Sequence, residues 1–281
     1  MLREMTVGDC TLYLLSDGLF GLDGGAMFGV VPKVLWQKLI TPDEHNRIQL
    51  GLNCLLILTP KSTLLVDTGI GEKLYPKFRD IYAISKSTSL LKSLKAIGIG
   101  PNEVDVVINT HLHFDHAGGN TRKSSGELKC TFPNAKYVVQ KGEWNDALNP
   151  NDRTKGSYLE ENLLPVEKSG QLHLIDGACE IEKGITTYVT GGHTPHHQVV
   201  FVKAGGLTAL YLGDLIPTSH HLKITWVMGY DLYPLDTIEM KRELLDRALK
   251  ERWALIFEHD PDVGMGYLEK DDAKFLIRER S

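Results

Sequence analysis

Four side chains that can bind metal ions fall within six residues of this sequence. They are His111, His113, Asp115 and His116. They directly follow the apolar segment 104–109, which predicts a buried strand. A loop at a strand end escapes the side-to-side alternation of the strand, so all four side chains can turn toward one point. Imidazole and carboxylate together suit zinc, iron, manganese or cobalt, and the segment therefore predicts a metal site.

Three other predicted strands also end in polar side chains of this kind. Segment 185–190 leads into His193, segment 207–212 into Asp214, and segment 254–257 into His259. A single Asp after a strand is usually a turn residue or a helix cap. Four such strand ends in one chain instead predict that their side chains share one site.

In chain order, these motifs are H-x-H-x-D-H, then G-H-T-P-x-H, a strand-ending G-D and a late His. The ordered set resembles the metallo-β-lactamase-fold hydrolase superfamily, and the match runs from His111 to His259. The resemblance implies an α/β (α+β) fold, a four-layer αββα sandwich of two mixed β-sheets with helices on the outer faces. It places the site at the edge of the two sheets.

The resemblance also implies two divalent metal ions, with zinc favoured and iron, manganese or cobalt as alternatives. The first ion would be held by His111, His113 and His193. The second would be held by Asp115, His116 and His259, with Asp214 bridging the two ions. In the G-H-T-P loop, His197 takes the final His position and is expected to hold a ligand or the loop in place. His196 stands where Gly is common; we expect a surface residue, with a substrate-facing side chain as the alternative.

Two ions close together lower the pKa of a shared water, and the resulting metal-bound hydroxide is a nucleophile. Asp115 is placed by its motif to take or relay a proton. We therefore expect a hydrolase that cleaves a lactone, a carboxylic ester or a phosphotriester. Two alternatives stay open: a persulfide dioxygenase-like enzyme with a single iron ion, and a glyoxalase II-like thioester hydrolase.

Within the superfamily, the chain looks most like the N-acyl homoserine lactonases and the methyl parathion hydrolase-like enzymes. A long apolar segment precedes the first motif, and only 22 residues follow His259, where glyoxalase II-like members continue into a helical region. The lactonases place a substrate-side Tyr three residues after the bridging Asp, but this chain has Pro217 there. The candidates for a replacement hydrogen-bond donor are His220, His221, Tyr230 and Tyr233; the alternative for each is an ordinary surface or partly buried residue.

Composition narrows the choice of partners. The net charge of −5 and the lack of a Lys/Arg-rich insert argue against nucleic acid or an anionic membrane as a partner. We expect a small-molecule substrate instead. The four cysteines are far apart, which predicts free thiols. No secretory signal is visible, so we expect a cytoplasmic protein.

The elements that position the motifs read as one domain over residues 1–281. Strands are predicted at 11–15, 54–58, 63–67, 104–109, 136–140, 185–190, 199–203, 207–212 and 254–257. Helices are predicted at 88–97 and at 237–252, the latter with Asp236 as its N-cap and Glu239 in capping-box position. Residues 18–51 show no firm period and are expected to form an irregular arm. This arm would be a flap over the site or a contact in a homodimer.

Overall fold

The computed structural model describes residues 3–271 and 274–278. The strands are β1 (Arg3–Val7), β2 (Cys10–Asp23), β3 (Arg47–Leu58), β4 (Thr63–Val66), β5 (Val106–Ile108), β6 (Thr121–Ser124), β7 (Glu127–Cys130), β8 (Lys136–Gln140), β9 (Leu172–Ile175), β10 (Cys179–Glu182), β11 (Ile185–Val189), β12 (Gln198–Ala204), β13 (Leu207–Tyr211), β14 (Ala254–Ile256), β15 (Met265–Asp271) and β16 (Lys274–Arg278). The helices are α1 (Gly24–Phe28), α2 (Lys33–Trp36), α3 (Pro76–Ile81), α4 (Leu90–Ala96), α5 (Phe114–Ala117), α6 (Lys141–Leu148), α7 (Glu160–Lys168) and α8 (Pro234–Glu251).

Two large mixed sheets organise these strands. The first has the order β1-β2-β3-β4-β5-β8-β9 and the second the order β10-β11-β12-β13-β14-β15-β16. Strands β4, β5, β8 and β9 pair in parallel, as do β13 and β14, and the other pairs within both sheets are antiparallel. Strands β6 and β7 form a separate hairpin.

The buried apolar residues divide into layers that follow the two faces of each sheet. One cluster joins both sheets and includes Leu55 of the first and Val202 of the second. Another places Leu244 of α8 against the outer face of the second sheet. A third places Leu94 of α4 against the outer face of the first. The central strands of each sheet thus bury both faces, and the predicted αββα sandwich is confirmed.

The structure places a strand within each of the nine predicted strand segments, and helices within both predicted helical segments. The prediction for the start of α8 was wrong. The helix begins at Pro234 with Tyr233 as its N-cap, and no side chain caps it. Proline suits the first helical turn because its missing N–H has no partner there, so Asp236 lies inside the first turn.

The prediction of an irregular arm at residues 18–51 was wrong in part. Strands β2 and β3 extend into it from either side and remain paired from Leu19–Gly51 to Asp23–Arg47. Only the connection between them is compact and short-helical, and it buries Phe28 and Trp36. The apolar residues that lacked a period are thus those of strand ends and single helical turns.

All four cysteines are free, as predicted. Within the described residues, the structure contains no helix with the length and apolar character needed to cross a membrane.

Candidate metal centre

The loop after β5 brings the first motif to the edge of the first sheet. Thr110 anchors this loop, because its backbone N–H and its hydroxyl both donate to the Asp67 carboxylate, at 2.8 and 2.7 Å. The chain then turns into the short helix α5, which carries Asp115 and His116. Gly118 and Gly119 pack so closely on the backbone after β4 that a Cβ atom on either would lie 2.2 Å from a carbonyl oxygen. Only glycine allows this turn beside the site.

His111, His113 and His193 form a first group of donors with Asp214. His113 Nδ1 lies 3.0 Å from His111 Nε2 and 3.1 Å from His193 Nε2. Asp214 Oδ2 lies 3.0 Å from His193 Nε2. Loops from both sheets thus meet at this group, as the strand-end pattern predicted.

Asp115, His116 and His259 form the second group of donors. Asp115 Oδ2 lies 3.7 Å from His259 Nε2 and 3.9 Å from His116 Nε2. Asp214 reaches this group too, since its Oδ1 is 3.1 Å from His259 Nε2. One carboxylate therefore stands between the two groups.

The outward ring nitrogens of four histidines are occupied by the protein. His193 Nδ1 faces an Asp231 oxygen at 3.0 Å, and His259 Nδ1 faces the Gly51 carbonyl at 2.9 Å. These partners accept hydrogen bonds, so Nδ1 carries the hydrogen and Nε2 presents a lone pair inward. Thr110 Oγ1, already donating to Asp67, accepts from His111 Nδ1 at 3.1 Å in the same way.

His116 Nδ1 is held by two buried carboxylates. It lies 2.8 Å from Glu258 and 3.2 Å from Asp67. Its Nε2 therefore also points toward the second group with a lone pair.

This donor set fits two divalent cations. Imidazole lone pairs and carboxylates converge in two groups with the ligand types that zinc takes. Lone pairs about 3 Å apart repel one another unless a cation or a proton lies between them. Neither group contains a thiolate, as the sequence predicted.

Charge is distributed unevenly over the buried rings. Burial and the neighbouring imidazoles hold the pKa values of His111 and His113 well below the usual range. Burial also lowers the pKa of His259, but the Asp214 carboxylate outweighs this and raises it to about 9. Burial opposes ionisation of Asp214, yet the surrounding histidines hold its pKa well below the ordinary value. Asp214 is therefore a carboxylate, the charge that a bridging ligand needs.

Comparisons with known proteins agree with this geometry. The family model for the metallo-beta-lactamase superfamily matches residues 48–259. The chain belongs to the metallo-beta-lactamase superfamily. This confirms the resemblance drawn from the sequence, and the matched range contains every strand end that supplies a donor.

Several relatives within this superfamily are similar over most of the chain. An N-acyl homoserine lactonase of Bacillus cereus is 27% identical over 234 residues, covering 79% of this chain and 86% of that protein. A probable metal-dependent hydrolase from Staphylococcus aureus has a TM-score of 0.90 at 33% identity, covering 99% of this chain and 100% of that one. An N-acyl homoserine lactone hydrolase, solved with N-hexanoyl-L-homoserine at its catalytic metal centre, has a TM-score of 0.69 at 25% identity, covering 92% and 95%.

His197 lies directly behind the metal-binding residue Asp214. It is fully buried, and burial lowers its pKa to about 3. Its Nε2 accepts from the Asp214 backbone N–H at 3.0 Å, so its Nδ1–H donates to Thr190 Oγ1 at 2.7 Å. Gly213 adopts φ +49°, and a Cβ there would lie 2.7 Å from His197 Nε2. The close approach that aims Asp214 thus requires glycine.

The other residues that were predicted to lie behind the metal ligands or to face the substrate differ in position. His196 is partly exposed and packs over Gly142, and His220 is half-buried; neither lines the cavity at the donors. His221 is buried, and its Nε2–H donates to the Met27 carbonyl at 2.9 Å. It stacks on Phe28 with ring centroids 4.6 Å apart, and therefore holds the arm rather than a substrate.

Tyr230 differs from these residues because it lines the cavity, whereas Tyr233 does not. Burial raises the pKa of Tyr230 to about 12, with Tyr82 and acidic neighbours adding to the shift. Its hydroxyl can therefore donate a hydrogen bond at neutral pH.

Pro217, the position of the missing Tyr, does not line the cavity. Its carbonyl accepts from the His259 backbone N–H at 2.9 Å, so this position supports the metal-binding residue His259.

A cavity of about 500 Å³ opens onto both groups of donors. Its lining includes His113, Asp115, His193, Asp214 and His259 on the polar side, and Leu22, Met27, Phe114, Met228 and Leu232 on the apolar side. Leu22 and Met27 come from the arm, so the arm forms part of the cavity wall. This volume lies in the range of small-molecule sites.

Sequence reasoning missed the residues that hold the donors from behind. Asp67 follows the apolar strand β4 and carries the same strand-end signal as Asp214, so it could have been found. Glu258 precedes His259 and could have been suspected for the same reason. Asp231 has no such signal, because it lies in an irregular segment and meets His193 only through the fold.

Proposed function

We propose that the chain is a dinuclear metallo-hydrolase of lactonase type that opens the ring of an N-acyl homoserine lactone. The observation that carries the proposal is the convergence of two donor groups, joined by Asp214, at the floor of a cavity with one apolar wall. The names of the relatives support the substrate class. The apolar wall suits an acyl chain, and the donors suit the ester of the lactone ring.

Two divalent ions, zinc by preference, would supply an activated water and polarise the ester carbonyl when bound. His111, His113 and His193 would hold one ion. Asp115, His116 and His259 would hold the other, and Asp214 would bridge them. Four of the seven side chains are oriented before any ion binds, because partners behind the rings set the direction and tautomer of His111, His116, His193 and His259.

Asp115 is the chain's own proton carrier in this proposal. It is buried, lies between His116 and His259, and lines the cavity. Its carboxylate would accept the proton of the attacking water and return it to the ring oxygen as the C–O bond of the lactone breaks. The product would be the open N-acyl homoserine, with one proton gained at the new hydroxyl and one lost from the new acid.

Tyr230 is the donor that we propose in place of the Tyr absent at Pro217. Its protonated hydroxyl lines the same cavity as Asp115. A donor at this wall would bind the substrate amide or ester oxygen. The apolar arm residues Leu22 and Met27 would contact the acyl chain and exclude water.

The alternatives are less well supported. A single-iron dioxygenase would leave the second donor group unused, although its rings are oriented from behind as firmly as those of the first. A glyoxalase II-like enzyme would act on a thioester, whereas relatives that are similar over most of the chain are named as N-acyl homoserine lactone hydrolases.

Metal analysis and a substrate panel test the proposal. Purified protein should hold two ions per chain and should turn over N-acyl homoserine lactones with higher kcat/KM than an aryl ester, a phosphotriester or a thioester. Chelation should lower this activity by more than about 10²-fold, and added zinc should restore it. At zinc concentrations that keep two ions bound, Asp115→Asn should lose turnover, whereas the exposed Asp236→Asn should change neither metal content nor turnover. Lactone turnover that survives removal of the metal would contradict the proposal.

A further inference from the structure

A buried carboxylate outside both donor groups joins the two loops that carry the three histidines of the first group. Glu143 lies in the first turn of α6 and is 1% exposed. It is not a member of either donor group at the cavity floor. Burying a carboxylate is costly unless its oxygens accept hydrogen bonds, so its partners indicate what it does.

Those partners come from three separate segments. Glu143 Oε1 accepts from the Leu112 backbone N–H and from the Tyr158 hydroxyl, both at 3.0 Å. Glu143 Oε2 accepts from Thr194 Oγ1 at 2.7 Å. Leu112 lies between the donors His111 and His113, and Thr194 directly follows the donor His193. The carboxylate thus ties the loop after β5, in the first sheet, to the loop after β11, in the second.

The third partner acts on the same donor group. The Tyr158 ring packs against the His113 ring, with centroids 5.1 Å apart. Holding the Tyr158 hydroxyl therefore also limits movement of the His113 ring. Burial raises the pKa of Glu143, but the hydrogen bonds from Thr194, Leu112 and Tyr158 oppose this and favour the carboxylate.

The second donor group is held by other residues. His259 is fixed by the Gly51 carbonyl and His116 by Glu258 and Asp67. Within the described residues, Glu143 makes no hydrogen bond or ion pair with either of these histidines. Its influence is therefore confined to one of the two groups.

We infer that Glu143 is a positioning residue that sets the spacing of His111, His113 and His193, and thereby the affinity of the first metal site alone. It acts through the two loops and contacts no reacting atom. The inference rests on the proposed function only in requiring that both donor groups bind metal.

The test compares Glu143→Gln with Asp146→Asn, a matched loss of one carboxylate charge on a half-exposed position of the same helix. Zinc-loaded proteins are dialysed against a graded series of chelator concentrations, and the ions remaining per chain are counted. Wild type and Asp146→Asn should release their ions at the same chelator concentrations. Glu143→Gln should release one ion at about 10- to 100-fold lower free chelator and keep the other unchanged.

Thr194→Val provides a second variant in case Glu143→Gln does not fold, which circular dichroism and thermal unfolding report. It removes one of the three hydrogen bonds and should weaken the same single ion by a smaller factor. In the double variant, Thr194→Val should weaken binding of that ion by a smaller factor than it does alone, because Thr194 and Glu143 share one hydrogen bond. Equal weakening of both ions, or of neither, would overturn the inference. If wild type binds two ions but does not turn over the lactone, this would contradict the proposed function and leave the role of Glu143 intact.

Discussion

Four of the five imidazoles of the metal centre have their tautomer set by what lies behind the ring. A carboxylate behind His193 and a carbonyl behind His259 place the hydrogen on Nδ1. The inward nitrogen then faces the metal position, and a bound cation displaces any proton that this nitrogen carries. Single residues outside the donor set therefore decide how ready the site is for metal, and single substitutions can test them.

Tyr230→Phe tests the proposed substrate donor. Losing one hydrogen bond to a bound substrate costs about 1–1.5 kcal/mol, so kcat/KM for an N-acyl homoserine lactone should fall about 10-fold. Both metal ions should remain, because Tyr230 belongs to neither donor group. Steady-state kinetics and metal analysis measure the two effects. Tyr233→Phe, at a half-exposed position outside the cavity, is the matched control; an equal loss in both variants would contradict the assignment.

His221 should make stability sensitive to acid. Burial lowers its pKa in the folded chain to about 3, against about 6.5 when unfolded. Between these values the unfolded chain binds the extra proton, so this contribution is complete above pH 6.5 and is lost as the pH falls. From pH 7 to pH 5 the free energy of unfolding should drop by about 2 kcal/mol on this account.

Urea unfolding at pH 5 and pH 7 measures this effect. In His221→Gln the drop should be smaller than in wild type by that amount, since Gln can donate to the Met27 carbonyl without titrating. The exposed His45→Gln should behave as wild type does. An identical drop in the free energy of unfolding in all three proteins would rule out His221 as the source.

At the scale of elements, helix α8 holds the segment that forms one wall of the cavity. Lys241 is fully buried on this helix, and its Nζ donates to the carbonyls of His221, Lys223 and Trp226 at 2.7, 3.1 and 2.5 Å. The same segment continues to Tyr230 and Asp231. The helix thus helps to position the cavity residue Tyr230 and the His193 partner Asp231 through one lysine side chain.

Lys241→Met tests this connection. The substitution keeps the length of the side chain but leaves buried carbonyls without a donor, each at a cost of about 1–3 kcal/mol. We expect the free energy of unfolding to fall by about 3 kcal/mol or more, measured by urea unfolding. Lys250→Met, exposed on the same helix, should change it by less than about 0.5 kcal/mol. Equal values for the two variants would show that the carbonyls do not depend on Lys241.

Elements with a clear pattern could be predicted from the sequence, and so could the side chains at their ends. Apolar runs bounded by turn residues located nine strands, and the polar residues after four of them named the donors that the structure brings together. Glu143 and Asp231 could not be found in this way, because their partners are distant in sequence and are chosen by packing. The arm was misjudged because β2 and β3 extend through segments whose burial alternates poorly.

At the scale of the whole molecule, the metal centre lies where the two sheets meet. Strand β3 of the first sheet donates backbone hydrogen bonds to the segment after β14 of the second. Gly51 N–H donates to the His259 carbonyl at 3.0 Å, and Asn53 N–H donates to the Glu258 carbonyl at 3.0 Å. The donors themselves are divided between the two sheets. Metal bound here would link both halves of the sandwich, so the site and the fold should share their stability.

Metal removal should therefore lower the thermal stability of the whole chain. Ligands that bind only the folded state at 1,000 times their Kd stabilise it by about 4 kcal/mol per site. For a chain of this size, that corresponds to a fall in Tm on the order of 10 °C when the ions are removed. Differential scanning calorimetry of zinc-loaded and chelated protein measures the difference. Asp214→Ala should lose most of it, because Asp214 stands between both groups, whereas the exposed Asp236→Ala should retain it. We expect one cooperative unfolding transition that shifts as a whole, since the ions would join the two sheets. Separate melting of two parts would show that the ions do not link the sheets.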